Sequence, residues 1–162
     1  MAVHNTISER GLFKEEIHAA LYKNADIREL ILGDTSGMSA SKKLDEFRDK
    51  VKSHLFIDDT IKEVGSFIYY DVIFPTLHSN VKTCKVILYA ICHRDILDTY
   101  TKPGYHGNRA DILSEMIVDT LVVDQEVANS FGIGELTLDS VDLYNASRHY
   151  GVALIFSVPN FR

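Results

Sequence analysis

The stretch SFIYYDVIFPTLHSNVKTCKVILYAICH, Ser66 to His93, decides the fold. Apolar side chains occupy every second position of its first half, which is the period of a β-strand: Ile68, Tyr70, Val72 and Phe74. Pro75 is expected to end this strand, because proline cannot donate to a ladder, and Thr76 to Asn80 is expected to form the turn. A second strand follows from Val81 to His93. The two segments predict a long antiparallel pair between about Ile61 and Arg94.

Both faces of this predicted pair are apolar in the middle of the strands. An antiparallel sheet usually leaves one face to water, so we expect the second face to meet further helices or another subunit. Asp71 interrupts the apolar pattern and is expected to be an edge or interface residue paired with Lys85 across the hairpin. The candidate interface residues of the pair are Phe67, Tyr69, Asp71, Ile73, Lys85, Ile87 and Tyr89.

Helices are expected before the pair. Thr6 to Glu9 has the spacing of a capping box, and apolar residues then recur at helical intervals as far as about Lys23. A short helix is expected from Asp26 to Leu32, where Gly33 ends it. The segment from Gly33 to Ala40 is rich in glycine and serine and predicts a mobile loop.

A third helix is expected to begin at Ser41. Its apolar positions follow helical spacing: Leu44, Phe47, Val51 and Leu55. The opposite side mixes lysines and arginine with acidic residues, which is the pattern of a solvated helix face more often than of a phosphate-binding patch.

The C-terminal part predicts a turn-rich loop from Asp98 to Gly107, then a helix from Asn108 to about Val123 and two antiparallel strands. The strands are expected at Ile133 to Leu143 and Tyr150 to Val158, with a bulge near Ser140 where the first one changes parity. The fold class is therefore α+β, with a mostly antiparallel four-stranded sheet packed against N-terminal and central helices.

The bulk composition narrows the class of protein. The chain has 162 residues, is 46% hydrophobic and carries a formal charge of −6, which is typical of a globular protein and disfavours nonspecific binding to a phosphate backbone. We expect one domain over residues 1–162, mainly helical up to residue 60 and built on the sheet and central helix from residue 61. No apolar run approaches the roughly 20 residues that cross a bilayer, so no membrane span is expected.

Both cysteines, Cys84 and Cys92, are expected on the second strand, roughly 26 Å apart and too far for a disulfide. Free thiols and an N-terminus without signal-like features favour synthesis in a reducing, intracellular compartment.

Motifs for catalysis are weak. The histidines and cysteines do not fall at zinc-ligand spacings, Thr83-Cys84-Lys85 lacks the carboxylate of a restriction-type nuclease, and Gly132 to Gly134 follows a helix instead of preceding one. We therefore predict no catalytic, metal-binding or cofactor-binding residues. The alternative is a small metal-dependent hydrolase in which four residues converge: His93, Asp95, His106 and Asp111.

The order of elements resembles the tail terminator family of long-tailed bacteriophages, small α/β proteins that close the finished tail tube. The resemblance covers about Ile7 to Phe161 and is carried by three segments: Ser66 to His93, Asn108 to Val123, and Phe131 to Tyr144 with the closing strand. Leu32 to Thr60 adds a helix and loop to the minimal family pattern, which leaves a related neck or tail-completion role open.

The resemblance implies a virion protein of the tail or neck, made in the host cytoplasm, that assembles as a homohexameric ring. Such a ring caps the tube, ends its polymerisation and joins tail to head, and burial between neighbouring copies would explain the second apolar sheet face. The implied partners are further copies of the chain, the tail tube protein and a neck or head-completion protein, while genome DNA only passes through the lumen. Loops are expected to dock these partners through Met38, His78, Tyr100 and Tyr105.

Overall fold

A computed structural model describes residues 2–57, 63–77, 82–124, 136–146 and 148–158. Its helices are α1 (Ala2–Lys23), α2 (Ala25–Leu32), α3 (Ala40–Lys50) and α4 (Arg109–Val118). A 3₁₀ turn (Arg94–Ile96) follows the hairpin, and a π-helical turn (Asp119–Val123) extends α4. The strands are β1 (Val51–Lys52), β2 (Ser66–Leu77), β3 (Lys82–His93), β4 (Thr137–Asn145) and β5 (His149–Val158).

The five described strands form one sheet in the order β1-β2-β3-β5-β4. All neighbours are antiparallel except β1, which runs parallel to β2. The predicted α+β class and the four antiparallel strands are confirmed, and β1 is an addition that makes the sheet mixed. The central hairpin pairs Phe67 with Ile91 and Tyr69 with Tyr89, as the alternating pattern requires.

The helices cover one face of this sheet. The main core joins Leu21 of α1, Leu30 of α2 and Leu113 of α4 to Tyr70 and Leu88 of the central strands, and all five are essentially inaccessible to solvent. Cys84 and Cys92 lie on the same strand in this core as free thiols, as predicted, and burial raises the pKa of each to about 11. The helix face of the sheet is therefore the hydrophobic centre of the protein.

Two predicted helix starts are wrong. The first helix begins at Ala2, so the predicted capping box from Thr6 to Glu9 lies inside α1. No proline or glycine occurs between Ala2 and Thr6 that would stop the helix from extending this far. The third helix is capped by Ser39, whose side chain accepts a hydrogen bond from the Lys42 amide, and not by Ser41. That helix ends at Lys50, which leaves Leu55 outside it.

Other boundaries follow their caps. Asn24 accepts hydrogen bonds from two amides at the start of α2, and Gly33 ends that helix with a φ of 69°, a conformation that glycine adopts without strain. Asn108 and Asp111 form a reciprocal capping box at the start of α4, and the helical turns continue to Val123 as predicted.

The structure corrects the prediction at Pro75. Strand β2 continues through this residue to Leu77, because the register shifts between Ile73 and Thr76 and a bulge accommodates the missing N–H. The predicted bulge near Ser140 is confirmed by a register shift between Leu138 and Ser140. The predicted turn at residues 78–80 and the strand residues Ile61, Val81 and Ile133 lie outside the described residues.

Candidate interaction surfaces

The second face of the sheet is covered at one end by the chain itself. Phe67 and Tyr69 are each 3% exposed and form a small buried cluster with Ile91. Ile57 packs on this cluster, and the His54 ring lies 5.9 Å from the Tyr69 ring. The predicted interface residues Phe67 and Tyr69 are therefore buried within the protomer by the segment that follows β1.

The other end of this face is only partly covered. Asp71, Ile87 and Ile155 are aligned across three strands, and Ile73 lies two residues further along β2 on the same face. The three isoleucines are half-buried and belong to neither of the two buried clusters. We call Ile73, Ile87 and Ile155 the isoleucine patch. It lies beside the exposed Lys85, while Tyr89 packs its ring 5.0 Å from that of Tyr144.

The predicted pair of Asp71 with Lys85 is wrong. Lys85 is aligned with Ile73, and the Asp71 carboxylate instead contacts the Arg10 guanidinium at 2.5 Å and the Lys14 ammonium at 2.9 Å. Arg10 also donates from Nε to the Val72 carbonyl at 2.7 Å. Asp71 is thus the anchor that fixes α1 to β2.

Removing the charge of this anchor should weaken the docking of α1. We expect Asp71→Asn to lower the free energy of unfolding by about 1–2 kcal/mol, because two cations lose their shared carboxylate. Urea denaturation measures the effect, with the exposed Asp49→Asn as control, since Asp49 reaches Lys52 only at 3.9 Å. Equal stability of the two variants would show that the Asp71 contacts contribute nothing.

A basic cleft lies beside the β1 edge of the sheet. It has a volume of about 720 Å³ and is lined by side chains of α1, α3 and β1, including three cations: Lys14, Arg48 and Lys52. Its apolar wall includes Tyr22, Leu44 and Val51, and Glu15 is the acidic residue that lines it. We call this the basic cleft. Two of its cations contact carboxylates, Lys14 at 2.9 Å from Asp71 and Lys52 at 3.9 Å from Asp49, which offsets part of the positive charge.

One histidine of the basic cleft, His18, has a buried ring nitrogen, Nε2, without a hydrogen-bond partner among the described residues. Burial lowers the pKa of His18, and the nearby Arg48 cation lowers it further. The imidazole is therefore neutral at pH 7. The charge of the cleft therefore comes from its lysines and arginine.

The opposite edge of the sheet is apolar and acidic. Val141 and Leu143 are 64% and 58% exposed although their register partners in β5, Leu154 and Val152, are buried beneath the helices. Their strand, β4, is the last of the sheet among the described residues. It also carries the exposed Asp139 and Asp142, which lie on the other face of the sheet, since Asp142 is aligned with Ala153 and Asp139 accepts a hydrogen bond from the Ser157 hydroxyl. We call Val141, Leu143 and these two acids the β4 edge.

The four residues of the hydrolase alternative are not brought together. Asp111 is engaged in the cap of α4, where its carboxylate accepts a hydrogen bond from the Asn108 amide. His93 accepts from the Asp95 amide through Nδ1 and packs its ring against His149 at 5.5 Å. Across the described residues, no group of three or more His, Cys, Asp or Glu side chains could hold a metal ion.

The buried pair of His93 and His149 predicts sensitivity to acid. Burial lowers the pKa of His149 below its ordinary value, and the neighbouring His93 and Arg148 lower it further. The unfolded chain therefore binds a proton at a higher pH than the native one, and the stability present above about pH 6.5 is lost as the pH falls through the native pKa. We expect His149→Gln to flatten the fall in stability between pH 7 and pH 5, measured by urea denaturation at each pH.

The control for this variant is His106→Gln, on an exposed loop residue. The stability of this control variant should depend on pH in the same way as the stability of the unsubstituted chain. If the stability of the His149 variant fell with pH as steeply as that of the wild type, His149 would not be the source of the acid sensitivity.

The predicted docking loops are partly described. Tyr100 and Tyr105 pack against the main core, and the Arg109 guanidinium lies 4.8 Å from the centre of the Tyr100 ring. Met38 is half-buried in the loop between α2 and α3. His78 lies outside the described residues. The two tyrosines therefore hold their loop to the body of the protein.

A comparison with protein families places the chain. The sequence profile of the YomW family matches residues 15–158, which covers all but the ends of the chain. The chain belongs to the YomW family. This family is phage-derived, of the Bacillus phage SPBc2 type, so the coarser part of the sequence interpretation, a phage-related protein, is supported. None of the curated proteins matches this YomW-family chain.

The matched region begins within α1 and contains α3 and β4, so it includes the β4 edge and every lining residue of the basic cleft except Lys14. Sequence reasoning missed the basic cleft, since the basic side of α3 was interpreted as a solvated face and the contribution of Lys14 is visible only in three dimensions. The change of parity near Ser140 indicated the bulge in β4 but not the position of this strand at the edge of the sheet. No helix within the described residues has the length and apolar character to cross a membrane.

Proposed function

We propose that this protein is a virion structural protein that assembles into a ring on the phage tail tube. The ring ends tube polymerisation and joins the tail to the neck. The observation that carries the proposal is the isoleucine patch, because the described residues cover the second apolar sheet face only at one end, and such a face is suited to burial in an assembly. The phage-derived family supports the same conclusion.

The mechanism is steric. A ring that docks on the last layer of the tube occupies the surface to which the next tube subunit would add, so growth stops. The other rim is then free to receive a neck or head-completion protein. Each protomer adds a formal charge of −6, which disfavours adhesion of the genome as it passes through the lumen.

Light scattering coupled to size exclusion tests the assembly. We expect a mass of several times the 18.3 kDa of one chain, and closed rings in negative-stain images. A strict monomer in both dilute and concentrated solution contradicts the ring.

Addition to polymerising tube protein tests the capping step. Tubes of the same phage should stop growing when the ring is added, and their final length should fall as the ratio of ring to tube subunit rises. Tubes that elongate at the same rate with and without the protein contradict the proposed activity.

A further inference from the structure

We infer that three polar side chains of α1 and β2 close the outer edge of β2 to strand addition by another copy of this chain. The three are Arg10, Lys14 and Asp71, and we call them the β2 cap. The inference does not depend on the proposed ring, since it concerns a contact that the fold prevents. It is carried by the length of edge that no described strand covers, by the hydrogen bonds of the cap, and by a matching contact on β4.

The outer side of β2 is largely without a neighbouring strand among the described residues. β1 is aligned with β2 only at Ile68 and Tyr69, whereas β2 continues to Leu77. β1 is also the last described strand on this side of the sheet. The segment from Tyr70 to Leu77 is rich in β-branched and aromatic residues, which favour strands. Such an edge is a template for pairing with another chain.

The β2 cap occupies both outward backbone groups of Val72. The Val72 amide donates to the Asp71 carboxylate at 2.8 Å, and the Val72 carbonyl accepts from Nε of Arg10 at 2.7 Å. Residues of an antiparallel pair alternately bond their partner and point their N–H and C=O away from it, and these contacts place Val72 among the outward-pointing residues. An incoming strand would therefore have to displace an ion pair before it could bind here.

Lys14 joins the cap to the end of β1. Its ammonium lies 2.9 Å from the Asp71 carboxylate and donates to the Ser53 carbonyl, directly after β1, at 2.9 Å. Arg10 and Lys14 are four residues apart on α1, so they share one side of the helix about 6 Å apart along its axis. This separation is close to the roughly 6.7 Å that two strand residues span. Side chains of α1 therefore continue the edge where β1 ends.

Two other features of the outer strands are of the same kind. Pro75 is exposed on the uncovered segment of β2 and has no N–H to offer to another strand. At the opposite end of the sheet, the Leu143 amide donates to the Asp142 carboxylate at 2.7 Å. An aspartate thus accepts from the amide that follows it on both β2 and β4.

Hydrogen exchange at the Val72 amide tests the cap. Two variants share Arg10→Met, which frees the Val72 carbonyl. The open variant adds Asp71→Ala, which removes the acceptor of the Val72 amide, and the matched variant adds Asp71→Asn, which keeps a side-chain oxygen there. In dilute solution, we expect this amide to exchange about 10- to 100-fold faster in the open variant than in the matched variant.

The internal reference for exchange is the amide of Val86, whose strand β3 has a neighbour on each side. Its exchange rate should be similar in the two variants, because both lose the same charges. Equal exchange of the Val72 amide in the two variants would overturn the inference.

Self-association is the second readout. By light scattering, the open variant should form species larger than those of the wild type, in an amount that rises with concentration. The control is Tyr70→Phe, which removes the hydrogen bond from the Tyr70 hydroxyl to the Lys14 carbonyl at 2.7 Å but leaves the cap in place. An open variant with the wild-type mass at every concentration contradicts the inference. Equal growth of the Tyr70 variant also contradicts it, because lost stability alone would then explain the association.

Two precautions keep the result decisive. Circular dichroism establishes that each variant is folded, and the single change Asp71→Ala replaces the open variant if the double change unfolds the chain. Each mass is compared with that of the wild type, whatever its assembly state. A monomeric wild type therefore contradicts the proposed ring without deciding the role of the β2 cap.

Discussion

Gly151→Ala is expected to lower the free energy of unfolding by about 3 kcal/mol or more. An added Cβ would lie 2.5 Å from Cγ2 and 2.8 Å from Cα of Ile91, and would also overlap the Ala90 carbonyl oxygen. Gly151 is in β5, which is held between β3 and β4, so the backbone cannot move away without breaking a ladder. Urea denaturation at a fixed protein concentration measures the loss.

The control for Gly151 is Gly11→Ala. Gly11 lies inside α1, and no atom beyond its chain neighbours and the surrounding helix backbone lies within 4 Å of the position that a Cβ would occupy. This change should stabilise the chain by about 0.5–1 kcal/mol, because alanine favours helix more than glycine does. The two substitutions are chemically identical and have opposite expected signs. A Gly151→Ala variant as stable as wild type would contradict the close approach of β3 and β5.

Arg109→Met is expected to cost about 2–4 kcal/mol, since it removes hydrogen bonds to two separate elements. Nε donates to the Ser66 hydroxyl at 2.7 Å, and Nη2 donates to the Leu30 carbonyl at 2.8 Å. Ser66 is only 1% exposed, so its hydroxyl loses a partner that water cannot easily replace. One side chain therefore ties α4 to β2 and α2.

Two further variants separate the causes of this effect. Arg109→Lys keeps the charge but cannot reproduce the planar fork, and we expect it to recover only a minor part of the loss. Arg148→Met, on an exposed arginine, should change stability by no more than about 0.5 kcal/mol. If thermal and urea unfolding showed the same small loss of stability for Arg109→Met as for Arg148→Met, the hydrogen bonds of Arg109 would not stabilise the fold as proposed.

The central hairpin and α4 were predictable because their patterns are local. The period of two in Ser66 to His93 extends over enough residues to identify both strands, and Asn108 with Asp111 marks the start of α4 by spacing alone. The passage of β2 through Pro75 was not predictable, since a bulge depends on how the partner strand shifts.

Strand β1 could not be predicted from its own sequence. Two residues, Val51 and Lys52, carry no periodicity, and Val51 also fits the helical spacing of Phe47. Its pairing with β2 is set by the position of α3 against the sheet. The start of α3 was equally ambiguous, because Ser39 and Ser41 are both suitable caps and only backbone geometry distinguishes them.

The surfaces depend on contacts between distant segments. The partner of Asp71 lies on α1, some sixty residues earlier, so the sequence pattern favoured the nearer Lys85. The basic cleft combines residues of α1, α3 and β1. The exposure of Val141 and Leu143 follows from the sheet order, which leaves β4 at the edge. Local periodicity carries no information about any of these three arrangements.

Tail length in a phage that carries this gene tests the proposed capping role. The gene is deleted, particles are imaged by electron microscopy after induction, and the gene is supplied again from a plasmid as control. We expect tails without the protein to exceed the normal length and to remain unattached to heads, and complementation to restore both. Tails of normal length joined to filled heads in the deletion strain would contradict the proposed role in ending tube growth and joining tail to head.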